Sequence, residues 1–91
     1  MDVATRFGQN LRRCRKRADL SQAELGRMSF LHRTEISLLE RGRRVPRIDT
    51  LARLSGALSV SPHELLDGIE WTPGSSAGGS FSIAAGERRS S

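Results

Sequence analysis

The fold of this chain is decided by residues 21–42, SQAELGRMSFLHRTEISLLERG. Leu25 and Leu31 give the first half of the segment its apolar anchors. Ile36 and Leu39, three residues apart, give the second half one inward-facing stripe at helical spacing. The segment therefore predicts two short helices joined by a tight turn.

The second of these helices offers a polar, basic face opposite its apolar stripe. At about 100° per residue, the side chains on that face are Thr34, Ser37, Leu38 and Arg41. Arg33 lies on the flank, at the start of the helix. A helix with such a face can reach base edges when it lies in a major groove, so double-stranded DNA is the expected partner.

Helix signals continue on both sides of this segment. The five predicted helices cover residues 3–17, the stretch that follows Ser21, residues 32–41, residues 48–58 and residues 62–66. Ser21 and Glu24 form a capping-box pattern at the start of the second helix. Asp19 and Gly42 suit the left-handed ends of the first and third helices, and Pro62 suits the first turn of the fifth.

The motifs SQAELG, HRTEIS and LERGRRVP, set among five short helices, resemble the Cro/C1-type (XRE-like) helix-turn-helix family. This family contains phage repressors, bacterial regulators and restriction–modification controller proteins, and the similarity covers residues 5–68. The resemblance implies an all-α fold, a compact five-helix lambda-repressor-like DNA-binding domain, and the composition beyond Gly68 adds a flexible C-terminal tail. It implies a sequence-specific transcriptional regulator and not an enzyme.

The resemblance also assigns roles to individual side chains. The expected base contacts are His32, Arg33, Thr34, Ser37 and Leu38. The expected phosphate contacts are Gln22, Arg41, Arg43, Arg44 and Arg47. Arg15 and Glu40 occupy positions that form a structural ion pair between the first and third helices in many family members. Arg33 suits bidentate pairing with guanine, although a phosphate contact is the alternative, and His32 alternatively serves only to start its helix.

Two residues in the turn depart from the family pattern. Phe30 occupies the position that usually holds a glycine in a left-handed conformation, where a bulky residue should cost roughly 1–2 kcal/mol. Either the turn is rebuilt, or Phe30 packs against the protein or contacts DNA. Ser29 replaces a common core leucine beside it.

Composition supports a polyanion binder and excludes several other classes. Residues 1–47 contain twelve basic and five acidic side chains, whereas residues 48–91 contain three basic and five acidic ones. Cys14 is the only cysteine, so no intramolecular disulfide forms, and it falls on the apolar stripe of the first helix. No metal site, cofactor or catalytic constellation is expected. Membrane insertion and secretion are not expected either, and the cytoplasm is the expected location.

The chain divides into a domain over residues 1–68 and a tail over residues 69–91, where the composition becomes rich in Gly and Ser. Trp71 and the alternating Phe81, Ser82 and Ile83 interrupt this tail. Two readings stay open: a short strand that docks on the domain or pairs with a second copy, or a mobile tail.

The leading functional hypothesis is a homodimeric repressor that occludes a promoter. One helix selects only a few base pairs, whereas a twofold dimer places two helices about 34 Å apart on a palindromic operator. Leftover apolar residues predict a dimer surface that includes Leu65, Ile69 and Trp71. The alternative is an antitoxin or other interaction protein whose tail binds a partner protein, and a third reading makes the tail a linker to a lost sensing domain.

Overall fold

The computed structural model describes residues 1–74 and 78–84, and within these ranges the chain forms five helices and one two-stranded sheet. The elements are α1 (Val3–Arg17), α2 (Gln22–Ser29), α3 (Arg33–Glu40), α4 (Ile48–Leu58), α5 (Pro62–Leu65), β1 (Ile69–Thr72) and β2 (Ser80–Ile83). All five predicted helices are therefore confirmed. No helix in the described residues is long and apolar enough to cross a membrane.

The helix ends follow the predicted local signals. The Ser21 hydroxyl accepts a hydrogen bond from the Glu24 backbone N–H at 3.0 Å, and the Ser21 N–H donates to the Glu24 carboxylate at 2.8 Å. Asp19 and Gly42 both have left-handed backbones, with φ of 60° and 72°. These caps satisfy backbone groups that the helices leave without partners, and they set the lengths of α1, α2 and α3.

Removing the capping hydroxyl by Ser21→Ala is expected to lower the free energy of unfolding by about 1 kcal/mol, the usual cost of losing an N-cap. The Ser21 N–H also lowers the pKa of the Glu24 carboxyl. A lowered folded-state pKa stabilises the fold above the unfolded value of 4.5, and this contribution is lost as pH falls through the folded pKa. Urea unfolding at pH 7 and pH 3 measures both effects; an unchanged midpoint in Ser21→Ala at pH 7 would contradict the first.

The core is built around α3, which packs against both α1 and α2. Its buried Ile36 and Leu39 meet apolar side chains of α1, and Cys14 belongs to the same buried cluster, as its place on the apolar stripe predicts. Gly8 brings the two helices into backbone contact, because a Cβ at this position would lie 2.5 Å from the Leu39 carbonyl oxygen. The position and orientation of α3 relative to α1 are thus fixed by direct packing of the two helices.

The predicted all-α fold class is wrong in one respect: β1 and β2 form an antiparallel hairpin. Ile69 pairs with Ile83 and Trp71 with Phe81, and the rings of Trp71 and Phe81 meet edge to face with centroids 4.9 Å apart. The alternation of apolar and polar residues puts these four side chains on one face. Ile69 packs against the helical core, so this part of the expected flexible tail docks on the domain. The expected mobility of residues 75–77 and 85–91 lies outside the described residues.

Two buried polar side chains of α1 hold the junction between α5 and the hairpin. The Asn10 amide donates to the carbonyl oxygens of Leu65 and Asp67, both at 2.9 Å. Arg6 Nε donates to the Asp67 carbonyl at 3.1 Å. These bonds satisfy carbonyl groups that α5 leaves without a partner, and they fix where the chain leaves the helical domain.

Candidate nucleic-acid interface

The turn between α2 and α3 is held close by backbone contacts. The Leu31 N–H donates to the Gly26 carbonyl oxygen at 2.8 Å. A Cβ on Gly26 would lie 2.6 Å from the Leu31 carbonyl oxygen, so a small residue is needed there. Ser29, which replaces the common leucine, is buried, and its hydroxyl donates to the Leu25 carbonyl at 2.6 Å. These contacts fix the angle at which α3 leaves α2.

Four of the predicted site residues line one open concavity of about 210 Å³ between the start of α2 and the exposed side of α3. They are Gln22, Arg33, Thr34 and Ser37. Two of them are predicted to contact bases at the N-terminal end of α3, and Ser37 follows one turn later. The fold thus brings residues from two helices together on one polar surface.

His32 caps α3 and is bonded to its neighbour on that surface. Its Nδ1 accepts the Thr34 N–H at 3.1 Å and lies 2.8 Å from the Thr34 hydroxyl oxygen. With Nδ1 accepting, the neutral ring holds its proton on Nε2, which leaves a donor on the exposed side chain. Capping and an outward-facing donor are therefore compatible in this residue, and the two alternative readings of His32 do not exclude each other.

Leu38, like Ser37, is half-buried, whereas His32, Arg33 and Thr34 are exposed. Part of its side chain is covered by the protein, and the exposed remainder lies one turn along α3 from Thr34. The free-energy cost of exposing its apolar surface to water is therefore smaller than that of a fully exposed leucine.

The arginines after α3 differ in how far the protein already engages them. Arg44 Nη1 contacts the Glu35 carboxylate at 2.8 Å, Arg47 Nε lies 3.3 Å from the Asp49 carboxylate, and Arg41 Nε donates to the Ser37 carbonyl at 3.4 Å. The side chains of Arg33 and Arg43 are exposed, and no hydrogen bond or ion pair engages either of them within residues 1–74 and 78–84. Arg33 and Arg43 are thus free to bind an anion directly. Arg44 and Arg47 would first have to break their contacts with the Glu35 and Asp49 carboxylates.

Glu35 is the member of this surface that the sequence did not reveal. Its carboxylate faces Arg44, nine residues away and beyond the end of α3. Helical spacing predicts partners three or four residues apart, so no local pattern marks this pair. Its effect is to place one negative charge within an otherwise basic surface.

Arg15 and Glu40 form a nearly buried ion pair behind this surface. Arg15 Nε and Nη2 donate to the two Glu40 carboxylate oxygens at 2.5 and 3.0 Å, and Arg15 Nη1 donates to the Leu20 carbonyl at 2.8 Å. The hydrogen bond to Glu40 raises the pKa of the Arg15 guanidinium. Gln22 Nε2 donates to the same carboxylate at 3.1 Å, so one side chain of α3 joins α1 and α2.

This surface has the chemistry of an anion-binding and hydrogen-bonding face. It offers guanidinium groups, hydroxyls, an amide and an imidazole on one side of a short helix. In the part of the chain that the structure describes, no group of three or more His, Cys, Asp or Glu side chains is placed to hold a metal ion.

Comparisons with known proteins agree with this geometry. A family model described as helix-turn-helix matches residues 11–65. Control protein C.BamHI of Bacillus amyloliquefaciens is 44% identical over 62 residues, which cover 67% of this chain and 76% of that protein.

Solved structures show the same similarity. The restriction-modification controller protein C.AhdI from Aeromonas hydrophila matches with a TM-score of 0.67 and 37% identity, over 68% of this chain and 94% of its own. The P22 c2 repressor, solved in complex with synthetic operator 9T, matches with a TM-score of 0.63 and 38% identity, over 66% of this chain and 91% of its own.

Proposed function

This chain belongs to the Cro/C1-type helix-turn-helix family of DNA-binding transcription regulators, and from that premise we propose that it is a sequence-specific homodimeric repressor. It binds a palindromic operator in double-stranded DNA and prevents transcription by occluding the promoter, acting in the cytoplasm where its target lies. The observation that supports this proposal is the polar concavity shared by α2 and α3.

In this proposal the exposed side of α3 enters the major groove. The residues that contact bases are His32, Arg33, Thr34, Ser37 and Leu38. The residues that contact phosphates are Gln22, Arg41, Arg43, Arg44 and Arg47. Arg33 pairs with guanine N7 and O6, and the exposed part of Leu38 meets a thymine methyl group. The phosphate contacts orient the domain without specifying sequence.

Two copies are needed because an eight-residue helix contacts only a few base pairs. A twofold dimer places two such helices in successive major grooves, about 34 Å apart. The binding energy of two half-sites then adds, which allows selection of one site among many competing sequences.

The test is selection from a randomised duplex library at about 150 mM salt, near physiological ionic strength, since low salt rewards any basic protein. The proposal expects an enriched palindrome with half-site centres about one helical turn, roughly 10 base pairs, apart. Binding without sequence enrichment, strongly reduced by added salt, would rule out a stand-alone sequence-specific regulator.

The hairpin is the proposed association surface. Trp71 and Phe81 are 53% and 59% exposed on the apolar face of the hairpin, beyond the part that Ile69 docks on the domain. The expected contribution of Leu65 is wrong, because this side chain is fully buried in the core. We therefore assign residues 1–68 to DNA binding and residues 69–91 to association.

Trp71→Ala is expected to weaken the dimer by roughly tenfold or more, since a central interface tryptophan commonly contributes 2 kcal/mol or more. Sedimentation over a range of protein concentrations measures the change. Thr72→Ala, on the opposite face of β1, is the matched control and should leave association unchanged. Unchanged association of Trp71→Ala would remove the hairpin from the interface, and Trp71-dependent capture of an unrelated protein would favour the interaction-protein alternative.

A further inference from the structure

Phe30 adopts a backbone conformation that its side chain disfavours. It ends α2 with φ of 58° and ψ of 41°, in the left-handed region. Among the described residues, only two other non-glycine residues have positive φ, Asp19 and Ser59, and both have small polar side chains. A bulky residue in this region is a rare outlier, so of the two alternatives from the sequence, the turn is not rebuilt to avoid the strain.

Packing of the Phe30 side chain does not offset this backbone strain. It is 90% exposed, the most exposed large apolar side chain in the described residues. The turn is held by the Leu31 N–H on Gly26 and by the buried Ser29 hydroxyl, neither of which involves the Phe30 ring. A glycine would adopt the same backbone at no steric cost, so the ring has no role in the fold that explains its presence.

The surroundings of Phe30 indicate what the ring meets. It lies two residues before His32, the cap of α3, and three before the exposed Arg33. Arg27, in the last turn of α2, is exposed on the other side of it along the chain. An apolar ring that lies between exposed cations in the chain, just before the helix that the proposed function places in the major groove, suits a polyanion with apolar groups in its groove. Another apolar protein surface would leave these cations without partners.

We propose that Phe30 contacts DNA directly and packs against the 5-methyl group of a thymine at the edge of each half-site. The inference rests on the proposed function, which places the N-terminal end of α3 in the major groove. The thymine methyl is the one apolar group that bases present there, and a phenyl ring, which forms no conventional hydrogen bond, can distinguish it from the other base edges. Phe30 thereby adds specificity at a position outside the reach of Arg33.

The first test compares Phe30→Gly, Phe30→Ala and Ser59→Gly. Phe30→Gly removes both ring and strain, so we expect Tm to rise by about 4 °C while affinity for the selected operator falls by roughly fivefold per half-site. Phe30→Ala keeps the constrained backbone and should lose the same affinity, which separates the ring from turn flexibility. Ser59→Gly, at the end of α4 with φ of 54°, is matched in backbone conformation and should bind as wild type.

The second test replaces each thymine of the selected operator by deoxyuridine, which lacks only the methyl group. Wild-type protein should lose roughly fivefold in affinity at one position of each half-site. Phe30→Gly should lose nothing further at that position and should match wild type at every other one. If the loss of the ring and the loss of that methyl group are non-additive in this way, the Phe30 ring contacts that methyl group.

The outcomes separate this inference from the proposed function. If wild type selects an operator and both Phe30 variants bind it equally well, the inference falls and the proposed function stands. If affinity falls without coupling to any thymine, or if the Phe30 variants change the association state instead, the methyl contact is overturned. If wild type selects no sequence at all, the proposed function falls, and the inference falls with it.

Discussion

Glu40→Gln is expected to lower the free energy of unfolding by about 3–5 kcal/mol, the usual cost of removing one partner of a buried ion pair. For a domain of this size that corresponds to a fall in Tm of roughly 12 °C or more. Thermal unfolding followed by circular dichroism measures it. Few other single substitutions outside the apolar core should destabilise the chain as much.

The size of this effect follows from the bonds that the carboxylate makes. The side chains of Arg15 and Glu40 are 10% and 4% exposed, so water cannot replace the lost partner. The carboxylate accepts two hydrogen bonds from Arg15 and one from Gln22. A glutamine offers one acceptor oxygen and turns an amide N–H₂ toward the guanidinium donors, which leaves a buried charge without its counter-ion.

Glu35→Gln is the matched control for Glu40→Gln, because it makes the same chemical change on the same helix. The Glu35 pair with Arg44 is partly exposed, with side-chain exposures of 28% and 57%. Such pairs contribute about 0–1 kcal/mol, so Tm should change little. Equal effects of the two substitutions, or no effect of Glu40→Gln on either stability or DNA binding, would show that the buried pair does not lock α1 to α3.

A double substitution separates lost charge from lost packing. Arg15→Met combined with Glu40→Leu removes both charges and keeps apolar volume, and such replacements of buried pairs are often neutral or stabilising. We expect it to recover most of the stability that Glu40→Gln loses. DNA affinity should recover less, because Gln22 loses the carboxylate that orients it beside the concavity.

The features that the sequence predicted are local ones. Apolar spacing gave the five helices, and the Ser21 and Glu24 pattern gave a cap whose two hydrogen bonds are both present. Left-handed ends at Asp19 and Gly42 follow from residue type alone. Each of these signals depends on residues within one or two helical turns, where the backbone geometry is nearly fixed.

The features that the sequence missed depend on distant residues. The hairpin pairs residues that lie 8 to 14 positions apart in the chain, and its Ile69 packs on the domain. The Asn10 bond to Leu65 spans 55 positions. The sequence left a docking strand and a mobile tail as alternatives, because a glycine- and serine-rich composition cannot decide whether the few apolar residues within it will dock.

The structure places four of the predicted site residues around one concavity, and the sequence did not show how the individual side chains are paired. The motif identified Gln22 and Arg33, which the fold brings together in one concavity. It did not show that Arg44 faces Glu35 whereas the Arg43 side chain has no such partner in residues 1–74 and 78–84. Side-chain pairing of this kind depends on where the loop after α3 places each arginine, and residue spacing does not determine that placement.

Arg33 is the residue whose loss is expected to weaken DNA binding most. Arg33→Ala is expected to lower affinity for the selected operator by roughly 5- to 150-fold per half-site, the value of one bidentate contact to guanine. Because the Arg33 side chain is not held by the protein in the described residues, its loss should leave Tm nearly unchanged. Binding is measured by fluorescence anisotropy on the operator and on variants with each base pair replaced.

Arg43→Ala separates a base contact from a phosphate contact. Both arginines are exposed, so either loss removes one positive charge from the same surface. Loss of a phosphate contact weakens binding to every sequence and reduces the salt slope by about 1. Loss of a base contact relaxes selectivity at one position of each half-site, so Arg33→Ala should bind the altered base pairs there as well as the preferred one. A uniform loss from Arg33→Ala, with selectivity intact at every position, would reassign Arg33 to the phosphate backbone and leave base contacts to the remaining residues of α3.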